Sequence, residues 1–252
     1  MAATNDCLFK HIEELHGSRG WGHVLDAGTG EHSLDWVASL PSERWTAVTI
    51  EEWQLEKVHR ATGNRLRPGD RILRGDWFDP QFLPEEKFDT VIADYLLGAL
   101  DRFSPYRQEA LIGRLRPRVG SRLYLVGLEP YPEAATGPFS QAILDIERLR
   151  DAMILLANDR CHREYPRTWV EQALERNGFV IEDSRAFPIR YGPRFIEEQL
   201  DLCLHKIVKI GSYPLGRALE REVASLRERA RELHLKTGGE SFGEDYVIAA
   251  RV

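Results

Sequence analysis

The chain has 252 residues, a formal net charge of −6, and 42% hydrophobic against 29% charged residues. That balance suits one folded domain with a sizeable core. It shows neither a lysine- or arginine-rich nucleic-acid block nor an apolar run near the ~20 residues of a membrane span. Cys7, Cys161 and Cys203 lie far apart without disulfide or metal spacing, which fits a reduced, cytoplasmic setting. The leading Met-Ala-Ala-Thr-Asn-Asp segment has no apolar signal core.

Leu8, Ile12 and Leu15 share one face, so Asn5 to His16 is expected as a helix beside the sheet or over a pocket, ended by Gly17–Gly22. Val24-Leu25-Asp26 then reads as a buried strand, and Gly28-Thr29-Gly30 as a turn. Ser33 to Leu40 reads as the first crossover helix. Strand, glycine turn and helix in that order build a nucleotide-type pocket. Glycine is expected here because a Cβ would block a ligand's approach or strain the turn. The dinucleotide version needs a third glycine, but that slot holds Ser33, and an acid, Asp26, precedes the turn. Such an acid repels a diphosphate and suits an ammonium group.

Trp45 to Ile50 is the second strand. Glu51 and Glu52 follow, roughly 20 residues beyond the glycine turn, where such pockets hold a ribose. Glu51, directly after the strand, is expected to accept from the ribose; Glu52 would open the helix Trp53–Ala61, favoured by its dipole. Arg71–Arg74 is a short third strand leading to Gly75-Asp76-Trp77-Phe78. Phe88–Tyr95 is the fourth, with Asp94 and Tyr95 at the carboxyl edge, where open α/β sheets bind ligands. Ser104-Pro105 is expected to start a helix, Tyr106–Leu115, and Ser121–Gly127 is the fifth strand. Arginines 65, 67, 71 and 74, and 114, 116 and 118, read as a solvated surface.

Glu129 to Pro132 leave the fifth strand in a Pro-, Gly- and Ala-rich loop, as a substrate loop would. A long helix runs from Phe139 to about Asn158, and Cys161–Pro166 makes a break. Thr168 with Glu171 reads as a capping box for the helix Trp169–Arg176. Phe179–Ser184 is the sixth strand and Tyr246–Ala250 the last. Between them lie two amphipathic helices, Phe195–Ile210 and Leu215–Leu235.

Val-Leu-Asp-Ala-Gly-Thr-Gly, Phe-Asp-Thr-Val and Leu-Arg-Pro-Arg-Val-Gly before an apolar strand together resemble the class I (Rossmann-like) S-adenosylmethionine-dependent methyltransferases. The resemblance implies an α/β fold: a doubly wound, seven-stranded, mostly parallel sheet. Residues 1–252 would form one methyltransferase domain. The cofactor implied is S-adenosyl-L-methionine, held by Asp26, Gly28, Thr29, Gly30, Glu51 and Asp94. In the family an acid and an apolar neighbour after the third strand meet the adenine, and Asp76 and Trp77 match them. The departure from the family is the helical insertion at about 192–240. It would serve as a cap over the substrate, a homodimer surface through the 195–235 helices, or a stabilising hairpin.

The resemblance implies direct methyl transfer, to N, O or S of a small-molecule metabolite, in a pocket closed to water. No tail or basic groove points to nucleic acid or membrane as partner, and Asp94-Tyr95-Leu96-Leu97 lacks the Asn/Asp-Pro-Pro pattern of base methylation. If a general base is used, Glu129, Asp94 and His162 are the candidates. Tyr95, Glu129, Tyr131, Tyr165 and Tyr191 are the candidates for the substrate pocket, the tyrosines through their ring faces. No histidine has a second ligand at metal spacing, so no metal is expected. Two alternatives are a non-catalytic methyltransferase-fold partner and a nicotinamide-dependent oxidoreductase, although no Tyr-x-x-x-Lys hydride site is evident.

Overall fold

The computed structural model describes residues 3–63 and 66–252; Arg65, one of the arginines expected on the surface, lies outside them. In chain order come α1 (Ala3–His16), β1 (His23–Asp26), α2 (Glu31–Ser39), β2 (Arg44–Thr49), α3 (Glu52–Thr62), β3 (Arg71–Arg74) and β4 (Phe88–Asp94). Then follow α4 (Leu96–Leu100), α5 (Gln108–Leu115), β5 (Val119–Leu128), α6 (Pro138–Leu156) and α7 (Arg167–Arg176). β6 (Val180–Arg190), α8 (Pro193–Ile207), α9 (Tyr213–Thr237) and β7 (Ser241–Arg251) complete the order. The strands form one seven-stranded sheet in the order β3-β2-β1-β4-β5-β7-β6. β7 runs antiparallel to both neighbours, and the remaining pairs are parallel.

Successive strand residues point to opposite faces, and the two cores follow that alternation. Leu25, Val91, Ala93, Leu123 and Leu125 pack on one face with α4, α5 and α7. Val24, Ile92, Tyr124 and Val126 pack on the other with α1 and α2. Of the two places expected for α1, the structure gives the one beside the sheet: Phe9 stacks on Trp36 at 4.2 Å, and His11 Nε2 lies 3.1 Å from Asp183 on β6. A third apolar cluster joins α6, α8 and α9 through Phe139, Ile143, Ile196, Leu200, Val223 and Leu226. The insertion between the last two strands is therefore docked on α6 along its length. It is not a hairpin standing off the sheet.

Some local readings need correction. The helix expected from Tyr106 begins at Gln108; Tyr106 itself has φ +64°, a left-handed conformation, and is 86% exposed. Thr168 does not cap α7: the helix starts two residues earlier than expected, at Arg167 behind Pro166. The Glu171 carboxylate instead takes the Ser184 hydroxyl and the Arg167 guanidinium. Arg118 is buried, not solvated: its guanidinium donates to the carbonyls of Arg114 and Phe82. Tyr95, expected at the end of the fourth strand, sits past it at φ 47°, ψ 20°.

Candidate active site

The sheet's order reverses between β1 and β4, and a crevice opens there at the strands' carboxyl ends. The loops that line it are stitched to the sheet by backbone bonds that continue the ladders. Ala27 N–H donates to Ile92 C=O at 2.9 Å, Thr29 N–H to Val48 C=O at 2.8 Å, and Gly75 N–H to Thr49 C=O at 3.0 Å. The Trp77 indole N–H donates to Ala27 C=O at 2.7 Å, fixing the first loop from the side. These bonds hold a cavity of about 350 Å³ with Gly28, Thr29, Glu51, Asp76, Trp77 and Asp94 in its wall.

Gly28 is required for a steric reason. A Cβ there would come within 2.7 Å of the Leu96 side chain, closer than real contacts allow. The expectation that the turn needs glycine dihedrals is not met: neither Gly28 nor Gly30 has a positive φ. At Gly30 a Cβ would meet only Gln54, at 3.8 Å, so its bare position leaves open space in front of the α2 N-terminus.

Asp26 lies beneath the turn, wholly buried. One carboxyl oxygen accepts from the Ser33 hydroxyl at 2.9 Å, and the same hydroxyl accepts the Gly30 N–H at 3.0 Å. Ser33, in the slot of the missing third glycine, thereby ties the acid to the turn. Among the described residues the other oxygen of Asp26 is buried without a well-formed hydrogen bond. Burial raises its pKa to about 6, against the Ser33 hydrogen bond and the nearby polar groups of Thr29 and Gly28. Asp94 is raised further, to about 8, by burial first and then by the charges of Asp26 and Asp245.

The two acids after β2 separate as expected. Glu51 lines the cavity and is held by Arg102 at 3.3 Å; Glu52 faces out and pairs with Arg74 at 2.6 Å. Asp76 reaches the cavity wall while one of its oxygens accepts the Phe78 N–H at 2.8 Å. Trp77 both lines the cavity and belongs to the core. The apolar rim of Trp53, Leu100 and Phe103 was not singled out from sequence. Its one signal is an aromatic two residues past the strand-end acid, and Trp53 keeps 55% of its surface exposed.

A second, larger cavity of about 840 Å³ adjoins the first, between the end of β5, α6, α8 and the 159–164 segment. Arg102 and His162 line both. The 159–164 segment is fastened to α4 where Arg163 N–H donates to Gly98 C=O at 3.1 Å. A Cβ on Gly98 would lie 2.2 Å from a Glu164 oxygen, so a side chain there would displace that carboxylate. Burial raises both Glu147 and Glu164 to about 7, against the Arg150 charge. Burial, then the charges of Arg150 and Arg102, hold His162 below the usual histidine pKa.

Of the side chains expected at a substrate pocket, Tyr131 reaches this cavity, and so does His162, one of the candidate bases. Tyr191 stands behind Tyr131, its hydroxyl donating to the Tyr131 hydroxyl at 3.2 Å. Tyr95 points its hydroxyl to Asp245 at 2.7 Å. Tyr165 packs on Trp169, with ring centroids 4.5 Å apart. Glu129 lines neither cavity; its carboxylate accepts the backbone N–H of Arg167 at 3.1 Å, at the start of α7.

This strand order with an antiparallel seventh strand, and a glycine turn closing β1 at the switch point, is the fold of the class I methyltransferases. No family model matches the sequence, and a search of curated proteins returns no match. Among solved structures, the chain is similar to a Bacillus halodurans protein to which methyltransferase activity is ascribed, at TM-score 0.62 and 17% identity over 98% of each chain. It is also similar to YcgJ of Bacillus subtilis, at TM-score 0.59 and 16% identity over 98% of this chain and 97% of that one. A third is the mycolic acid cyclopropane synthase CmaA1, solved with S-adenosylhomocysteine, at TM-score 0.58 and 16% identity over 99% and 84%. At these identities the likeness is one of fold. None of the helices, among the described residues, is long and apolar enough to cross a membrane.

Proposed function

We propose that the protein is an S-adenosylmethionine-dependent methyltransferase acting on a small molecule. The observation that carries this reading is the junction of two cavities at His162 and Arg102, the smaller one built on the Asp-x-Gly-x-Gly turn. The smaller cavity fits the donor on three counts. It has a bare Gly28 that a side chain would obstruct, an acid at the end of β2 for a ribose, and an apolar rim for a base. The oxygen of buried Asp26 that lacks a well-formed hydrogen bond among the described residues adds a negative potential beneath the turn, suited to a cationic ligand. The bound donor would supply an electrophilic methyl group on a sulfonium.

The chain's own part is to bring the acceptor to the junction and keep water out. α8 walls the larger cavity with Gln199, Leu202 and Lys206, so the insertion acts as a cap over the acceptor. His162 is the residue placed to take a proton from the acceptor. It faces both cavities, makes no hydrogen bond among the described residues, and its pKa is held below the usual histidine value. Asp94 at about 8 holds a proton at neutral pH, which suits it to donating towards a ligand and not to serving as a base.

The test is methyl transfer from labelled S-adenosylmethionine into a fractionated small-molecule extract. Labelled product formed by the native chain and lost in Gly28→Val supports the proposal. Donor binding without any labelled product, across extracts of differing composition, would favour a non-catalytic partner.

A further inference from the structure

The larger cavity is rich in guanidinium groups in a protein whose formal net charge is −6. Arg102, Arg148, Arg150, Arg160, Arg163 and Lys206 line it, against Glu147, Asp151, Asp159 and Glu164. Not all of these cations are free to meet a ligand. Arg150 is saturated by Glu147, Asp151 and the Gln199 side-chain carbonyl. Lys206 lies 2.7 Å from Asp159, and Arg102 lies 3.3 Å from Glu51.

Of the other three, Arg148 has no carboxylate partner among the described residues, and Arg160 and Arg163 have only loose ones. Arg148 hydrogen-bonds only the Glu133 carbonyl, at 2.9 Å, among the described residues. Arg160 donates to the Asp101 carbonyl at 3.3 Å and makes a long ion pair with its carboxylate at 3.7 Å, and Arg163 makes one with Asp151 at 3.6 Å, so each guanidinium keeps N–H groups for a ligand. All three keep a large part of their side chains exposed. Burial raises Glu147 and Glu164 to about 7, against the Arg150 charge, which weakens their opposition to an anion in the cavity. Leu128, Leu144, Ile154 and Leu202 supply an apolar wall beside the arginines.

A planar guanidinium fork matches a carboxylate or a phosphate oxygen pair. We infer that the larger cavity takes an organic anion, a carboxylate or phosphate monoester on an apolar skeleton, with its charged group against Arg148, Arg160 and Arg163. Calling that anion the methyl acceptor rests on the proposed function; the anion preference itself does not.

The experiment is a thermal-shift and calorimetric comparison of the full chain, with and without S-adenosylhomocysteine, against matched pairs of probes. The pairs are benzoate with benzamide, hexanoate with hexanamide, and phenyl phosphate with phenol. The acid of at least one pair is expected to bind about tenfold more tightly than its neutral partner, and Arg148→Gln with Arg163→Gln to abolish that difference. A response to the carboxylates alone or to the phosphate alone identifies the anion. Arg217→Gln, which removes an exposed pair with Glu220 on α9, should change nothing. Should the double variant fail to fold, Arg148→Gln alone serves, since it gives up one bond to a carbonyl. Equal affinity within every pair, no binding by any acid, or a preference that survives the arginine changes would overturn the inference. Failure of S-adenosylhomocysteine to bind would strike the methyl-transfer reading, while the probe comparison without it still decides the anion preference.

Discussion

Asp94→Asn should make the protein more stable at pH 8 and less able to hold its ligand. The carboxyl group sits on the cavity floor, raised from 3.8 to about 8 by burial and by the charges of Asp26 and Asp245, and no hydrogen bond to it opposes that rise. In the unfolded chain it ionises near 3.8; in the folded chain it keeps its proton to about 8. Between those values the unfolded state binds fewer protons, so this group lowers folding stability as pH rises and has no further effect above pH 8. Each tenfold step in the proton equilibrium is worth about 1.4 kcal/mol, so a dry interior would give roughly 5 kcal/mol at pH 8. Water in the cavity screens the group, and roughly 2 to 3 kcal/mol remains. Asparagine keeps the shape and has no proton to lose. Urea unfolding of both proteins at pH 5 and pH 8 should show the variant ahead by that amount at pH 8 and by well under half of it at pH 5. A variant no more stable than the native chain at pH 8, or a gap that does not change with pH, would refute the reasoning.

The remaining predictions test the walls of the site. Gly28→Val should reduce S-adenosylhomocysteine affinity at least about a hundredfold by calorimetry, while overpacking against Leu96 costs roughly 1–3 kcal/mol in urea; undiminished affinity would remove the turn from the site. Trp77→Phe takes away the donor to Ala27 C=O and should cost roughly 1–3 kcal/mol, with weaker ligand binding because the glycine turn loses its lateral tie. Tyr106→Gly relieves a left-handed, exposed tyrosine and should raise stability by about 0.5 kcal/mol after the added unfolded-state entropy. A lower midpoint would show that the Tyr106 side chain makes a contact worth more than its strain.

How much was legible beforehand follows from how each part is encoded. The parallel strands read well because they are buried on both faces and appear as short apolar runs, as in Val-Ile-Ala before Asp94; the antiparallel β6 and β7, expected at Phe179–Ser184 and Tyr246–Ala250, run further, over Val180–Arg190 and Ser241–Arg251, because their outer halves alternate with polar residues. The smaller cavity could be placed as well: its turn, strand-end acid and Asp76-Trp77 pair each lie within a few residues of a recognisable strand end, and the structure brings them together in one wall. How Asp26 is held did not read from sequence, because its burial under the turn depends on Ser33 reaching back from α2. The larger cavity was the least legible. Its arginines sit on α6 and the 159–164 segment among apolar residues, a pattern that in one dimension matches a solvated helix face. Only the docking of α8 against α6 closes the space they line. Arg118 shows the same limit from the other side: a charged residue in a turn reads as solvent-facing until the carbonyls of Arg114 and Phe82 are seen to surround it.

The central claim is that the crevice between β1 and β4 was shaped for a sulfonium nucleoside and not for a dinucleotide. Calorimetric titration of the purified chain with S-adenosylhomocysteine, with NAD+ in a parallel cell, tests it most directly. The account predicts saturable one-to-one binding of the first and no heat from the second. Silence with S-adenosylhomocysteine, or saturable binding of NAD+ in its place, would contradict it.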